Sequence, residues 1–430
     1  MSDASRAGDR PAPQLAYARW TDALARAGWR TAPVTEHVPA AEGLGRVAAA
    51  SVHARGPLPR SDCAAMDGIA VAAAVVAAAV VAAGAAAAAV AAPAVAAGTG
   101  DQVVLPQGAF EWIDTGDPMP AGTDTVIERE RVVPRDDGGV LVAGRAGGDL
   151  APRGRNVRAA AEDFAAGELL VPAGRRLRPA DLAVAVAGGH VTLAVARRPA
   201  VAIIPTGDEI RPAGAALRHG DITDTNSLML AGRCLQAGAR PAVSPVQPDD
   251  PDALAAEIRR SAADADLVLV IAGSSRGRGD HTAAVLAQVG GVAVTGAALR
   301  PGHPVLLGHA KPGDGSDGIV PVVGVPGYPL AAAVICELFA LPLLAAIGGW
   351  RHAPDIRPAV LDRDWTPRPG VEEWVPVRLT RSADRVVATP GRRGAGSVSR
   401  LARADAWWPI PPGQGTFLAG TEIEVRPIPD

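Results

Sequence analysis

Apolar positions recur at roughly helical spacing near the N-terminus, where Leu15, Ala18, Leu24 and Trp29 predict a helix over 14–31. Residues 33–60 predict a second short helix running into an extended, Pro-containing stretch. Residues 101–145 hold short Val-rich runs separated by Gly and Pro, the pattern of a small β-rich unit. Residues 146–180, rich in Gly, Arg and Pro, predict a connector with short strands. From about 181 the pattern alternates between helix-like and strand-like segments. DLAVAVAGG precedes the strand-like AVAIIP (200–205). A helix over 227–239 precedes a strand around 242–246, and a helix over 250–263 precedes the apolar strand DLVLVIAG (266–273). The helix TAAVLAQVG, the strands PVLLG and VPVVGVPG and the apolar helix AAAVICELFALPLLAAIG follow. Such alternation predicts a mostly parallel α/β sheet with helices on both faces. After Trp350, VEEWVPVRL, DRVVATP, WWPIP and TEIEVRPIP alternate and are punctuated by Pro and Gly, predicting a separate small β domain.

From Gly68 to Gly100 no residue is charged, and Ala and Val dominate. The run is long enough to span a bilayer. Alanine contributes little to membrane transfer, Leu and Phe are absent, Gly84 and Pro93 interrupt the run, and no basic cluster flanks it. The expectation is therefore no membrane span, but a low-complexity stretch filling buried strands or a helix of a small domain. Periodicity leaves strand or helix open.

At ~100–200 residues per domain, 430 residues suggest about three domains. Hydrophobic residues at 48% supply large cores, and a net charge of -3 argues against coating nucleic acid by bulk charge. Cys63, Cys234 and Cys336 are odd in number and widely spaced, which excludes a disulfide framework and fits a reducing compartment. Residues 1–12 are polar and lack the apolar core of a signal peptide, so a cytoplasmic protein is expected. The eight histidines show no HxxxH pairing, which disfavours a zinc enzyme.

Ligands of open α/β sheets sit beyond the carboxyl ends of the strands. TGDEI (206–210), AGSSRGRGD (272–280) and GVPGYP (324–329) each directly follow a strand and so fall along one edge. AGSSRGRGDHT combines glycines that let backbone N–H groups approach an anion with Ser274, Ser275, Arg276 and Arg278, and then opens a helix. It reads as an oxyanion loop, or as a solvated Gly/Ser turn with Asp280 starting the helix. Asp208 and Glu209, Asp221 and Asp224, and Asp280 place carboxylates on the same edge. Mg²⁺ is commonly held by one or two carboxylates plus substrate phosphates, so a phosphorylated substrate with Mg²⁺ is indicated. Asp224 also reads as a helix N-cap. GVPGYP, with Pro326, Gly327 and Pro329, reads as a rigid pocket wall or a plain turn. Asp67 and Thr115 sit in Gly-containing turns far from the sheet in sequence.

Together these segments resemble the molybdopterin molybdenumtransferase family (bacterial MoeA and the gephyrin E-domain), from about Val34 to the C-terminus. The stretch from VTEHVPAAEG to AAMDGIAV is similar to the family's N-terminal region and its Ala-Met-Asp-Gly-Tyr-Ala motif, with Ile69 in place of Tyr. IDTGDPMPAGTDTVIERE, TGDEI, DTNSLML, LRPGHPV, GVPGYP and GAGSVSRLARADA follow in the family's order. The resemblance implies a multidomain, elongated chain. A connecting domain would comprise 33–66 and 146–176, and a small β-rich domain with the Ala/Val insert 67–145. An α/β molybdopterin-binding domain resembling the adenylyltransferases would comprise 1–32 and 177–349, and a C-terminal β-barrel-like domain 350–430.

The resemblance also implies the reaction. Molybdenum, delivered as molybdate, is inserted into adenylylated molybdopterin, with Mg²⁺-dependent hydrolysis of the adenylate and release of AMP, the last step of molybdenum cofactor synthesis. Asp67, Thr115, Glu209, Asp224 and Asp280 match the family's catalytic positions, and Glu209, Asp224 and Asp280 its metal ligands. Pro326, Gly327 and Pro329 match its pocket loop, while Ser274, Ser275, Arg276 and Arg300 are suited to phosphate or molybdate. A homodimer is implied, with the site between the α/β domain of one subunit and the second domain of the other, and with handover of substrate from a molybdopterin adenylyltransferase. No nucleic-acid or membrane partner is implied. Arg300 and His303 stand where the family usually has lysines, and the Gly/Ser loop differs from the common Ser-Gly-Gly-x-Ser-x-Gly. A non-catalytic molybdopterin-binding or scaffold paralogue and a pterin adenylyltransferase are the alternative readings.

Overall fold

The computed structural model describes residues 10–89, 102–144, 150–272, 281–316, 318–382 and 385–429. Its centre is a six-stranded sheet in the order 240–243, 200–205, 267–272, 320–326, 306–310, 290–295. The first four strands are parallel, and the last two add antiparallel at the far edge. Leu267–Ala272 is apolar at every position and buried on both faces. Its Leu267, Leu269 and Ile271 join the core with Trp20, Leu230 and Phe339, while Val268 and Val270 join Leu254, Ile258 and Leu286 on the opposite face. The α/β expectation holds, with the strand Gly290–Thr295 as an element the apolar pattern did not single out.

Three sequence expectations change. The N-terminal helix, Pro13–Arg26, buries Pro13, Ala16, Trp20 and Leu24, while Leu15 and Ala18 face solvent. The stripe is set by Trp20, whose indole N–H donates to the Gly308 carbonyl at 2.8 Å in the core. The short helix expected within 33–60 is instead the strand Thr35–Pro39 followed by a single 3₁₀ turn, Ala40–Glu42. Pairing of that strand with Thr192–Ala196 outweighs local helical preference. The long apolar helix spans Pro329–Gly348 but relaxes to a π-helical segment at Cys336–Ala340, just before Pro342. Proline has no N–H to donate and crowds the preceding turn, which the wider segment accommodates. At 20 residues this helix is long and apolar enough to cross a membrane, but it is mostly buried in the protein core.

The described part of the Ala/Val run is a short strand, Gly68–Val71, and a helix, Ala73–Ala89; residues 90–100 of the run lie outside the described residues. Val76 packs on Ile69, Val103 and Leu105, while Val75 and Val81 are exposed. Ile69 sits in a three-stranded sheet between 111–113 and 125–128. Gly68 is required by this pairing, because a Cβ there would lie 1.9 Å from the Ile127 carbonyl oxygen. A second small sheet, 102–105, 140–143 and 132–134, closes the unit.

The C-terminal strands form a closed five-stranded barrel. Glu372–Ser382 pairs with 385–390 and 406–410, and the circuit closes through 357–361 and 422–427. Leu299–Arg300, from the α/β domain, adds in parallel to Glu372–Glu373 at the barrel edge.

Two buried carboxylates predict the acid response. Burial pushes Glu128 up, but its own backbone N–H, Asn156, Arg131 and Arg155 outweigh that and bring it to about 2. Arg178, aided by Arg175 and a backbone N–H, brings Asp181 to about 2 against its burial. A carboxyl lowered on folding stabilises above its unfolded pKa, and that contribution is lost as pH falls toward the folded value. Glu128→Gln and Asp181→Asn are each expected to lower the urea midpoint at pH 7 and to flatten its decline, between pH 4.5 and about 2 for Glu128 and between pH 3.8 and about 2 for Asp181. Gly68→Ala is expected to destabilise by roughly 2–4 kcal/mol, read as a shift of the same midpoint.

Candidate functional site

A cleft of about 840 Å³ opens at the carboxyl ends of the central strands, where the sequence pattern placed it. Pro205, Ile271, Ala272 and Pro326 form its floor at the ends of three adjacent parallel strands. Glu209 and Asp224 both line it. They are brought together by a two-strand ladder, Ile210–Arg211 beside Ile222–Thr223, with the Ile222 N–H donating to the Glu209 carbonyl at 2.8 Å. Asp224 is not the N-cap, which is Thr225, but from one residue earlier one of its oxygens accepts the Ser227 N–H at 3.0 Å in the first turn of the helix Asn226–Ala237, and the residue lines the cleft. Asp208 and Asp221 are not brought to the cleft. Asp221 is taken by Arg211 at 2.9 Å, and Asp208 accepts from the Asp249 N–H at 3.3 Å.

Pro326, Gly327 and Pro329 form a cleft wall. Asn226 Nδ2 donates to the Gly327 carbonyl at 2.8 Å, which ties this wall to the Asp224 loop. Asn226 Oδ1 and Ser227 Oγ are buried without a hydrogen-bond partner among the described residues. Asn226 carries no motif of its own in the sequence; its position two residues after Asp224 in the DTNS segment is the signal that points to it.

Arg300 also lines the cleft, with its Nη1 donating to His303 Nδ1 at 3.2 Å. Opposite the sheet, the barrel supplies a wall that no sequence motif marks: Trp365, Arg368, Glu373, Arg392 and Arg393. Glu373 is 4% exposed and accepts from Arg393 Nε at 2.9 Å and from the Arg368 backbone N–H at 3.2 Å. Arg393 also lies over the Trp365 ring at 4.4 Å and donates to the Thr366 carbonyl. Arg392 is exposed and makes no ion pair among the described residues. The cleft therefore joins two carboxylates on the sheet side to guanidinium groups on both sides, a set suited to an oxyanion and a metal-assisted phosphate. Among the described residues no group of three or more His, Cys, Asp or Glu is arranged to hold a metal. Ser274, Ser275, Arg276 and Asp280 lie outside the described residues.

Asp67 and Thr115 come together elsewhere. The Thr115 hydroxyl donates to Asp67 Oδ1 at 2.6 Å and its backbone N–H donates to the same oxygen at 2.7 Å. The hydroxyl, then the N–H, and the nearby Arg129 hold the Asp67 carboxyl below its usual range. Neither residue lines the cleft of its own chain.

The "MoeA N-terminal region (domain I and II)" matches residues 17–189, the "Probable molybdopterin binding domain" 202–346 and the "MoeA C-terminal region (domain IV)" 358–428. A Mycobacterium tuberculosis protein named molybdopterin molybdenumtransferase 2 is 31% identical, covering 91% of this chain and 94% of that protein. A Nostoc molybdopterin molybdenumtransferase is 28% identical over 90% of this chain and 87% of its own. A crystal structure of a MoeA molybdopterin biosynthesis protein from Pyrococcus horikoshii superposes with a TM-score of 0.76 at 28% identity, covering 97% of this chain and 98% of that one. The chain belongs to the molybdopterin molybdenumtransferase family of enzymes.

Proposed function

We propose that this enzyme inserts molybdenum from molybdate into adenylylated molybdopterin, hydrolysing the adenylate and releasing AMP in the cytoplasm. The observation that carries the reading is the shared cleft, in which Glu209 and Asp224 face Arg300, Arg392 and Arg393. Hydrolysis adds water across the phosphoanhydride. The water oxygen bonds to phosphorus, the bridging P–O bond breaks, and AMP and the molybdopterin phosphate separate. Glu209 would accept the proton that the attacking water loses, on the carboxylate oxygen not engaged by a cation. Arg300 and Arg392 pair with phosphate or molybdate oxygens and offset the charge that builds on them.

The donor set fits Mg²⁺. Two carboxylates on the sheet side of the cleft, with Glu373 across it engaged by Arg393 and no group of three ligands arranged among the described residues, suit a cation completed by substrate phosphate and water. Glu209 and Asp224 would hold it, and it would supply charge neutralisation at the phosphate. The Asp67–Thr115 pair, outside its own chain's cleft, fits a homodimer in which each subunit offers that pair to its neighbour.

AMP release from adenylylated molybdopterin, with and without molybdate, tests the reaction. Molybdate-dependent AMP release with active cofactor formed is expected, whereas pterin binding without AMP release would leave a binding protein. Glu209→Gln and Asp224→Asn should each lower the turnover rate at least ~100-fold with little change in the urea midpoint. Mixing Asp67→Asn chains with Glu209→Gln chains should restore about a quarter of native turnover if sites are shared across a two-fold dimer. No restoration would place Asp67 in a role within its own chain.

A further inference from the structure

Tyr328 is one of two tyrosines in the chain. It lines the cleft together with Trp365 and Trp374, and the three rings differ in how they are covered. Trp374 is 2% exposed with the Arg426 guanidinium 5.1 Å from its centre. Trp365 is half-buried beneath Arg393. Tyr328 is 60% exposed and carries no stacked partner among the described residues.

Its backbone is held on both sides. The preceding Gly327 carbonyl accepts from Asn226, Pro329 starts the following helix, and the Leu330 N–H donates to Ala395 of the barrel at 3.1 Å. One ring edge faces the barrel at Gly396 across a gap that a side chain would fill, since a Cβ there would lie 3.4 Å from Cδ1 and 3.5 Å from Cε1. The backbone that carries the ring is therefore fixed before any ligand arrives, so the freedom lost on binding is limited to rotation of the side chain itself. The charged groups of the cleft answer to phosphate or molybdate. None of them offers a flat, uncharged face, and a ligand joining phosphate to a fused-ring base needs both kinds of surface.

We propose that Tyr328 is the stacking platform for a fused nitrogen heterocycle of the bound substrate, its adenine or its pterin. The naming of those two rings rests on the function proposed above. The stacking itself rests on the exposed ring and the fixed backbone beneath it. An offset stack buries both faces and is tolerant of which base is present.

The test measures binding to the full-length chain by calorimetry with three probes: AMP, a pterin monophosphate and molybdate. Tyr328→Ala is expected to weaken one heterocycle roughly ten-fold, and the one that weakens is the stacked one. Tyr328→Phe should hold within about two-fold of native, because the face and not the hydroxyl makes the contact. Molybdate affinity should be unchanged in both variants. The proposal is overturned if Tyr328→Ala binds both heterocycles like the native chain, if Tyr328→Phe is as weak as Tyr328→Ala, if molybdate affinity falls in step, or if the native chain binds neither heterocycle. A native chain that binds AMP or the pterin through Tyr328 but releases no AMP in turnover would overturn the function while leaving the stacking in place.

Discussion

The cleft depends on one short ladder between two domains. Within the barrel, the strand Glu372–Ser382 finds its hairpin partner only from Val377 onward, so its first residues have one edge uncovered by that partner. Leu299–Arg300 of the α/β domain fills that edge in parallel register, and the Glu372 N–H donates to the Ala298 carbonyl at 2.9 Å. The same two residues that satisfy the barrel backbone therefore carry Arg300 into the cleft. An exposed strand edge would leave unpaired donors and acceptors, and this ladder removes that exposure while setting the distance between sheet and barrel.

The two glutamates at this point divide the work by the alternation of a strand. Glu372 accepts from Gln14 at 3.0 Å and from the Trp374 indole at 2.6 Å, and so binds the N-terminal helix to the barrel. Glu373 gathers Arg393 and the Arg368 backbone on the cleft side. Both are nearly buried, and buried carboxylates persist only where hydrogen bonds replace the lost water. The interface thus combines directed polar contacts with an apolar seam, in which Trp374 and Trp407 of the barrel join the core of the α/β domain.

The sheet side of the site was legible because parallel strands buried on both faces are continuous apolar runs. AVAIIP, LVLVIA and VPVVGVP announce themselves, and the loops after them must fall at one edge. Glu209 and Asp224 followed from that rule. The barrel side was not legible, since Glu373 reads as an ordinary charge in an alternating strand and becomes a cleft residue only through a contact made elsewhere in the chain. Arg393 likewise gains its meaning from Trp365 and Glu373. Local pattern failed at Thr35–Pro39 because its partner strand lies far along the chain. It was silent over Ala73–Ala89 because a segment of alanine and valine has no polar face from which to read a period. The Asp67–Thr115 pair was suggested as two separate turns, and its pairing required the sheet that brings 111–113 beside 68–71.

The hydrogen bond from Gln14 to Glu372 spans 358 positions. At the usual 5–20 residues per second, roughly 20–70 s of synthesis separates the two partners. Through that interval the N-terminal helix exists without the residue that anchors it to the barrel, and the cleft lacks one wall. The central sheet, complete by residue 326, must therefore hold together on its own core until the last strands emerge from the ribosome. That places the work of early stability on Leu267–Ala272 and its neighbours, and reserves the active cleft for a nearly finished chain.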